Sequence, residues 1–409
     1  MISTASPWFR EVDALPRREA VVVRRRAIFD CCKWDPQVED VCTIADVPLV
    51  LEAAAWQELV GSAEALAREV AAAEDELRGR PELHSHLGLP RGVVRALKRT
   101  SVAGARPIVR IVRFDFHQTS DGWRISEANT DVPGGLNEAS GLPRLMAPYF
   151  PGTRPVGDVA GAYADAIVTA TRPDARVALV HATAYTDDRQ VLTYLARELT
   201  GRAARPALVS PAHLRWVNGR ASFAADSLEG EIDAVLRFFP AEWMPDLPRG
   251  CNWPSFFGCT TTLLSNPATA LLTQTKRFPL IWDELHTALP TWRALLPQTL
   301  DPRDRRCQDR DRWVLKPALG RVGEDIAMTG ITGPKDAERI GRSVRKHPEH
   351  WVAQRRFDAM PVTIGGQPRY PGVGVYTVNG RAVGAYGRLA DRPLIDARAR
   401  DAAVLVAEP

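Results

Sequence analysis

The period of the apolar positions changes several times along the chain, and each change marks an element. Between Pro48 and Arg78, Leu51, Ala54, Ala55 and Leu59 recur at helical spacing in a stretch rich in Ala, Leu and Glu. This predicts a long helix with Asp46 as its N-cap and Pro48 in its first turn. The chain up to about Thr100 reads as a mostly helical N-terminal region. From Val109 the period falls to two. Val109, Ile111, Arg113, Asp115 and His117 share one parity, as do Trp123, Ile125, Glu127 and Asn129. Ser120-Asp121-Gly122 between the two runs is a turn signal, so a hairpin is expected. A Pro-rich stretch through Pro143, Pro148, Pro151 and Pro155 follows and is the expected linker.

An α/β alternation comes next. Val156–Thr171 and Asp187–Leu199 have helical patterns, while Arg176–Val180, Ala207–Val209 and Ile232–Leu236 are short apolar strands. Such alternation predicts a mostly parallel sheet. Beyond Ser265, Asn266-Pro267 opens a helical run that carries Lys276. Strands are expected at Trp313–Pro317 and Trp351–Phe357, and Tyr376–Val378, Asn379-Gly380 and Arg381–Arg388 form a hairpin signal. The expected class is α/β (α+β). The expected divisions are 1–100, 101–150, 151–262 and 263–409.

The first hairpin carries chemistry. If Ser120, Asp121 and Gly122 form a three-residue loop, Asp115 faces Glu127 and Arg113 faces Asn129. Facing side chains have Cβ atoms roughly 5 Å apart. Two carboxylates that close repel unless a cation lies between them, and Asp, Glu and an Asn carbonyl are hard donors suited to Mg²⁺. A two-residue turn would shift the register by one and break the alignment. The plain alternative is a solvated polar face. The loop Asn129–Gly135 that follows is polar and Gly-rich, of the kind that carries binding groups at a strand end. A second candidate is the strand-end Lys316 followed by Gly320-Arg321-Val322-Gly323. Glycines let backbone N–H groups approach an anion, and the two cations supply charge. Arg237–Trp243 follows a strand end, where open α/β sheets bind ligands, although a packed aromatic corner explains it equally.

Composition narrows the classes. The 409 residues carry a net charge of +4, with arginines spread among acids, so nucleic-acid binding is not expected. Lysine occurs only at 33, 98, 276, 316, 335 and 346. The cysteines show no CxxC or paired metal spacing and are expected as free thiols in a reducing, cytoplasmic setting. His84 and His86 are two apart, wrong for one helical face, and are expected as loop residues. No signal-peptide pattern is visible, and no apolar run approaches the ~20 residues of a membrane span. GxSxG, GxGxxG and HExxH are absent.

Taken together, RFD at Arg113–Asp115, EAN at Glu127–Asn129, the NP…K segment ending at Lys276, and VLKPALGRVG at Val314–Gly323 resemble the synthetase part of glutathionylspermidine synthase, a circularly permuted ATP-grasp amide ligase. VAQRRF at Val352–Phe357, VYTVNGRAVGAYGR at Val375–Arg388 and DAVLRFFPAEWM at Asp233–Met244 extend the resemblance from about Arg110 to the C-terminus. It implies a circularly permuted ATP-grasp fold with a pre-ATP-grasp α/β domain, and ATP and Mg²⁺ as cofactors. Asp115, Glu127 and Asn129 match metal ligands. Lys276 and Lys316 match phosphate-holding lysines, and Gly320, Arg321 and Gly323 match the loop over those phosphates. Gln354 and Phe357 lie where the family meets adenine, and Arg113 and Arg388 match arginines at the reacting acyl group. The chain has no counterpart of the family's amidase half, and TDVPGGLNEAS matches the substrate loop only loosely.

The expectation is an ATP-dependent ligase that joins a small carboxylate, an amino acid or small peptide, to an amine. The alternatives are a phosphotransferase and a non-catalytic nucleotide-binding protein.

Overall fold

Two hairpins far apart in the chain lie side by side. In the computed structural model, which describes residues 6–99, 108–225, 228–258, 260–320, 323 and 325–408, the strand Ile111–Thr119 pairs antiparallel with Gly122–Asn129 on one side and with Gln367–Val378 on the other. Arg381–Ala390 and the edge strand Arg400–Ala402 continue the sheet. Strand alternation sorts its two faces. Val112, Phe114 and Phe116, with Val373 and Val375, enter the largest apolar core, where Leu59, Leu66 and Val70 of the helix Ala53–Arg78 also lie. Arg113, Asp115 and His117, with Gly372 and Gly374, face a cavity instead.

The hairpin tip departs from expectation. Thr119 pairs with Gly122, so the connection is the two residues Ser120-Asp121, with Gly122 at φ +95°. From there to Phe116–Ile125 the pairing is one residue out of the expected register. A β-bulge at Ser126 supplies the missing residue and restores Asp115 opposite Glu127 and Arg113 opposite Asn129. The bulge also inverts parity. Trp123 and Ile125 join Phe116 in the core, while Glu127 and Asn129 turn to the cavity. The shared parity expected for those four residues fails because one face cannot suit two buried apolar and two polar side chains.

The α/β alternation does form a parallel sheet, ordered Leu263–Ser265, Ala234–Arg237, Arg176–Val180, Arg205–Val209. Helix Val159–Thr169 leads into the strand Arg176–Val180 and helix Thr186–Thr200 connects that strand to Arg205–Val209; the Asp158 side chain caps the first helix by accepting from the Gly161 N–H at 3.2 Å. A smaller antiparallel sheet holds Thr299–Leu300, Trp351–Arg355 and Trp313–Pro317.

The N-terminal region contains helices Arg17–Asp30, Ala53–Arg78 and Arg91–Arg99, but Leu49–Leu51 is a strand. It pairs in parallel with Val404–Ala407 near the other end of the chain, and all three residues are buried. The long helix therefore starts at Ala53 with Glu52 at its N-cap, making no side-chain capping bond, and Asp46 is not the cap. Helical periodicity cannot register a partner strand 350 residues away. Lys276, expected on a helix, stands in the turn just after Leu271–Gln274. His84 is buried, its Nε2 at 2.8 Å from the Leu77 carbonyl. Cys31, Cys32, Cys42, Cys251 and Cys307 are free thiols, and no described helix is long and apolar enough to cross a membrane.

Candidate active site

The loop after the first hairpin is held by a buried clamp. Arg237, at the end of its parallel strand, donates to the carbonyls of Phe239 at 2.7 Å, Asn266 at 3.1 Å and Pro267 at 3.2 Å, and to the Asp131 carboxylate. The other Asp131 oxygen accepts from the Ala241 N–H at 3.0 Å. The segment taken from sequence as a packed corner or a ligand contact is therefore, at Arg237, a brace for Asn129–Gly135. Asn266 adds bonds to Ile111 on both sides, accepting at 2.9 Å and donating at 2.6 Å. Gln274 Oε1 accepts from the N–H groups of Thr130 and Asp131 at 2.7 and 2.9 Å. These contacts fix where Glu127 and Asn129 point.

The cavity beside this loop has a volume of about 750 Å³. Arg113, Asp115, Glu127, Asn129 and Lys316 line it, as do Gly320, Gly323, Gln354, Phe357 and Arg388. Lys276 meets it through Glu127, at 2.9 Å, and donates to the Gly320 carbonyl at 2.9 Å. Arg321 lies outside the described residues. Arg113 chelates Asp115 with Nε at 2.6 Å and Nη2 at 2.9 Å, and Asn129 Nδ2 donates to the same carboxylate at 3.0 Å. Lys316 donates to Gln354 Oε1 at 2.7 Å and to the carbonyl of the bulge residue Ser126 at 3.3 Å. Three cationic side chains thus surround two carboxylates, an excess of positive charge that suits a polyanion.

Burial and charge set the protonation states. Burial alone would raise Glu127, but Lys276 and Lys316 outweigh it and hold the carboxyl at about 2. Burial pushes Lys316 down to about 8, with Lys276 adding to the fall and Glu127 and Asp115 opposing it. Burial, reinforced by Lys316, brings His117 to about 4. Between those two pH values the three groups keep one pattern: carboxylate, ammonium and neutral imidazole.

Tyr376, Tyr386 and Gly374, given no role of their own from sequence, complete the surroundings of the site. The Tyr386 ring lies between two guanidiniums, 5.4 Å from Arg113 and 5.8 Å from Arg388. Tyr376 and Arg113 both donate to the Gly134 carbonyl. Arg388 itself donates to the carbonyls of Asp396 at 2.7 Å and Ala399 at 2.9 Å. Gly374 stands beside Asp115 in the sheet, and a Cβ there would come within 2.7 Å of Arg113 Cδ and 2.8 Å of Asp115 Oδ1. Its missing side chain is the space those two groups use.

Comparison with known proteins places this architecture. The fold is shared with a glutathione synthetase-like effector (GSS30) from Globodera pallida in its apo form, at 11% identity, with a TM-score of 0.67 over 95% of this chain and 96% of that one. A putative gamma-glutamylcysteine synthetase from Methylobacillus flagellatus aligns over 81% of this chain and 86% of its own, at 13% identity and a TM-score of 0.42. No curated protein sequence matches. Residues 43–406, which hold both hairpins, the parallel sheet and most of the residues that line the cavity, match one sequence family, and the chain belongs to it: the glutathionylspermidine synthase preATP-grasp family.

Proposed function

We propose that the chain is an ATP-dependent carboxylate–amine ligase that releases ADP and passes through an acyl phosphate. The observation that carries this reading is the set Arg113, Lys276 and Lys316 around Asp115 and Glu127 at one cavity. Family membership supports it. Among the described residues no group of three or more His, Cys, Asp or Glu side chains could hold a metal alone. That fits Mg²⁺, which is usually held by one or two carboxylates together with substrate phosphates. Asp115, Glu127 and Asn129 would hold it, and with ATP it supplies neutralisation of charge on the transferring phosphoryl group.

The chain's own residues position and stabilise. Lys276, Lys316 and the backbone of Gly320 and Gly323 hold phosphates, while Gln354 and Phe357 border the base. A carboxylate oxygen of the acid attacks the γ-phosphorus, the bond to the bridging oxygen breaks, and ADP leaves. The amine then attacks the acyl carbon and phosphate departs with the amine's proton. Arg113 and Arg388 steady the oxyanion between these events. The test is ADP release over a panel of small carboxylates crossed with amines, with product masses recorded. The expected product has the mass of acid plus amine less water. ADP with a phosphorylated product and no amide would make the protein a phosphotransferase, and no ADP from any pair would remove catalysis.

Two expected results follow from the geometry. Above about pH 8 the Lys316 ammonium loses its proton, so nucleoside triphosphate affinity should fall as pH rises, approaching tenfold per unit. Lys316→Arg stays charged throughout and should flatten the profile; calorimetric titration giving the same slope for both proteins would contradict the assignment. Gly374→Ala adds one methyl group against Arg113 and Asp115 and should lower ADP release more than tenfold, since small misplacements are costly in turnover. Unchanged turnover in that variant would show that Asp115 needs no fixed position.

A further inference from the structure

Beside Tyr386 and Arg388 at the cavity, a lysine of the N-terminal region meets two carboxylates. Lys33 Nζ lies 2.7 Å from Glu138 Oε1 and 2.9 Å from Asp401 Oδ2. The three residues come from the segment after helix Arg17–Asp30, the first turn of helix Leu136–Met146 and the edge strand Arg400–Ala402. All three line the cavity. Glu138 and Asp401 are 7% and 3% exposed, and Glu138 Oε2 has no hydrogen-bond partner. Asp401 Oδ1 accepts from the Tyr386 hydroxyl and stands 3.6 Å from Arg388 Nε. A chain of contacts therefore runs from Lys33 through Asp401 and Tyr386 to Arg113.

Two buried carboxylates facing one space form a cation trap. Here the chain fills that trap with its own ammonium. Formal charges of Lys33 and Arg388 balance those of Glu138 and Asp401. We infer that Lys33 sets which acyl acceptor the cavity takes: its ammonium occupies the place between Glu138 and Asp401 that a second substrate ammonium would fill, so the site selects an acceptor with one amine, of the amino-acid class, over a diamine or polyamine. A second ammonium would have to displace a tethered cation whose effective concentration is high. An amino-acid carboxylate instead meets Lys33, which has three donors and spends two on the carboxylates. Asp187, exposed at the same cavity, offers the reacting amine a separate negative charge.

This inference rests on the ligase reading for the word acceptor, but its binding arm does not need turnover. Calorimetry with 1,4-diaminobutane on the full chain should give at least tenfold tighter binding to Lys33→Met than to wild type, the worth of one charge-assisted hydrogen bond. Lys33→Arg should behave as wild type. Equal binding to wild type and Lys33→Met would overturn the inference. If Lys33→Met does not melt cooperatively, the wild-type protein decides through the acceptor panel. Glycine and other single amines should then exceed 1,4-diaminobutane by at least tenfold in kcat/KM, and the reverse order would overturn it. Absence of ADP from every pair would sink the ligase reading and leave the wild-type titration, in which diamine binding at micromolar concentration counts against Lys33 as the selector.

Discussion

Replacing Glu127 by Gln, or Asp115 by Asn, is expected to lower ADP release by about 10²–10³ while cooperative unfolding persists. Both substitutions keep side-chain shape and remove one formal negative charge. Without Glu127, Lys276 and Lys316 lose the carboxylate that lies between them, and the cavity becomes more positive. Affinity for the nucleotide should therefore hold or rise while kcat falls, and half-saturating Mg²⁺ should increase. That split separates a metal-holding role from a general loss of structure, which would move both constants together. Wild-type turnover in either variant would remove the assignment of Asp115 and Glu127.

Arg237→Met is expected to cost about 3–5 kcal/mol of stability, the usual range for removing one partner of a buried ion pair. The Arg237 side chain is 0% and the Asp131 side chain 3% exposed. The substitution strands a carboxylate and three backbone carbonyls that now share one guanidinium. Arg237→Lys should rescue little, because a lysine cannot present donors in that fork. Urea midpoints with an unchanged slope measure the loss. A change under about 1 kcal/mol would mean that the other contacts of the loop Asn129–Gly135, from Asn266, Gln274, Arg113 and Tyr376, hold it without Arg237.

What local pattern could show and what it could not divides along a physical line. The strand Arg176–Val180 and the second hairpin were legible because a short apolar run and an Asn-Gly turn are local signals. The pairing of Asp115 with Glu127 was also legible, yet through two errors that cancel: the turn is one residue shorter than expected, and the bulge adds it back. The strand Leu49–Leu51 was hidden because its pairing is with Val404–Ala407. Lys33, Glu138 and Asp401 were hidden for the same reason. Each is unremarkable beside its neighbours, and the cluster exists only once three remote segments meet. Lysine scarcity was one available hint, since three of the chain's few lysines converge on this cavity, and the place of Glu138 within TDVPGGLNEAS was another.

The kink at Ser126 separates the outer ribbon from the acids. A relative with a longer tip and no kink would bring the same carboxylates face to face. Natural variation at the tip is therefore free to trade one solution for the other, provided the distance in residues from Asp115 to Glu127 stays fixed. Alignments that force the tips to match would misplace Phe116 and Ile125 while leaving the chemistry untouched.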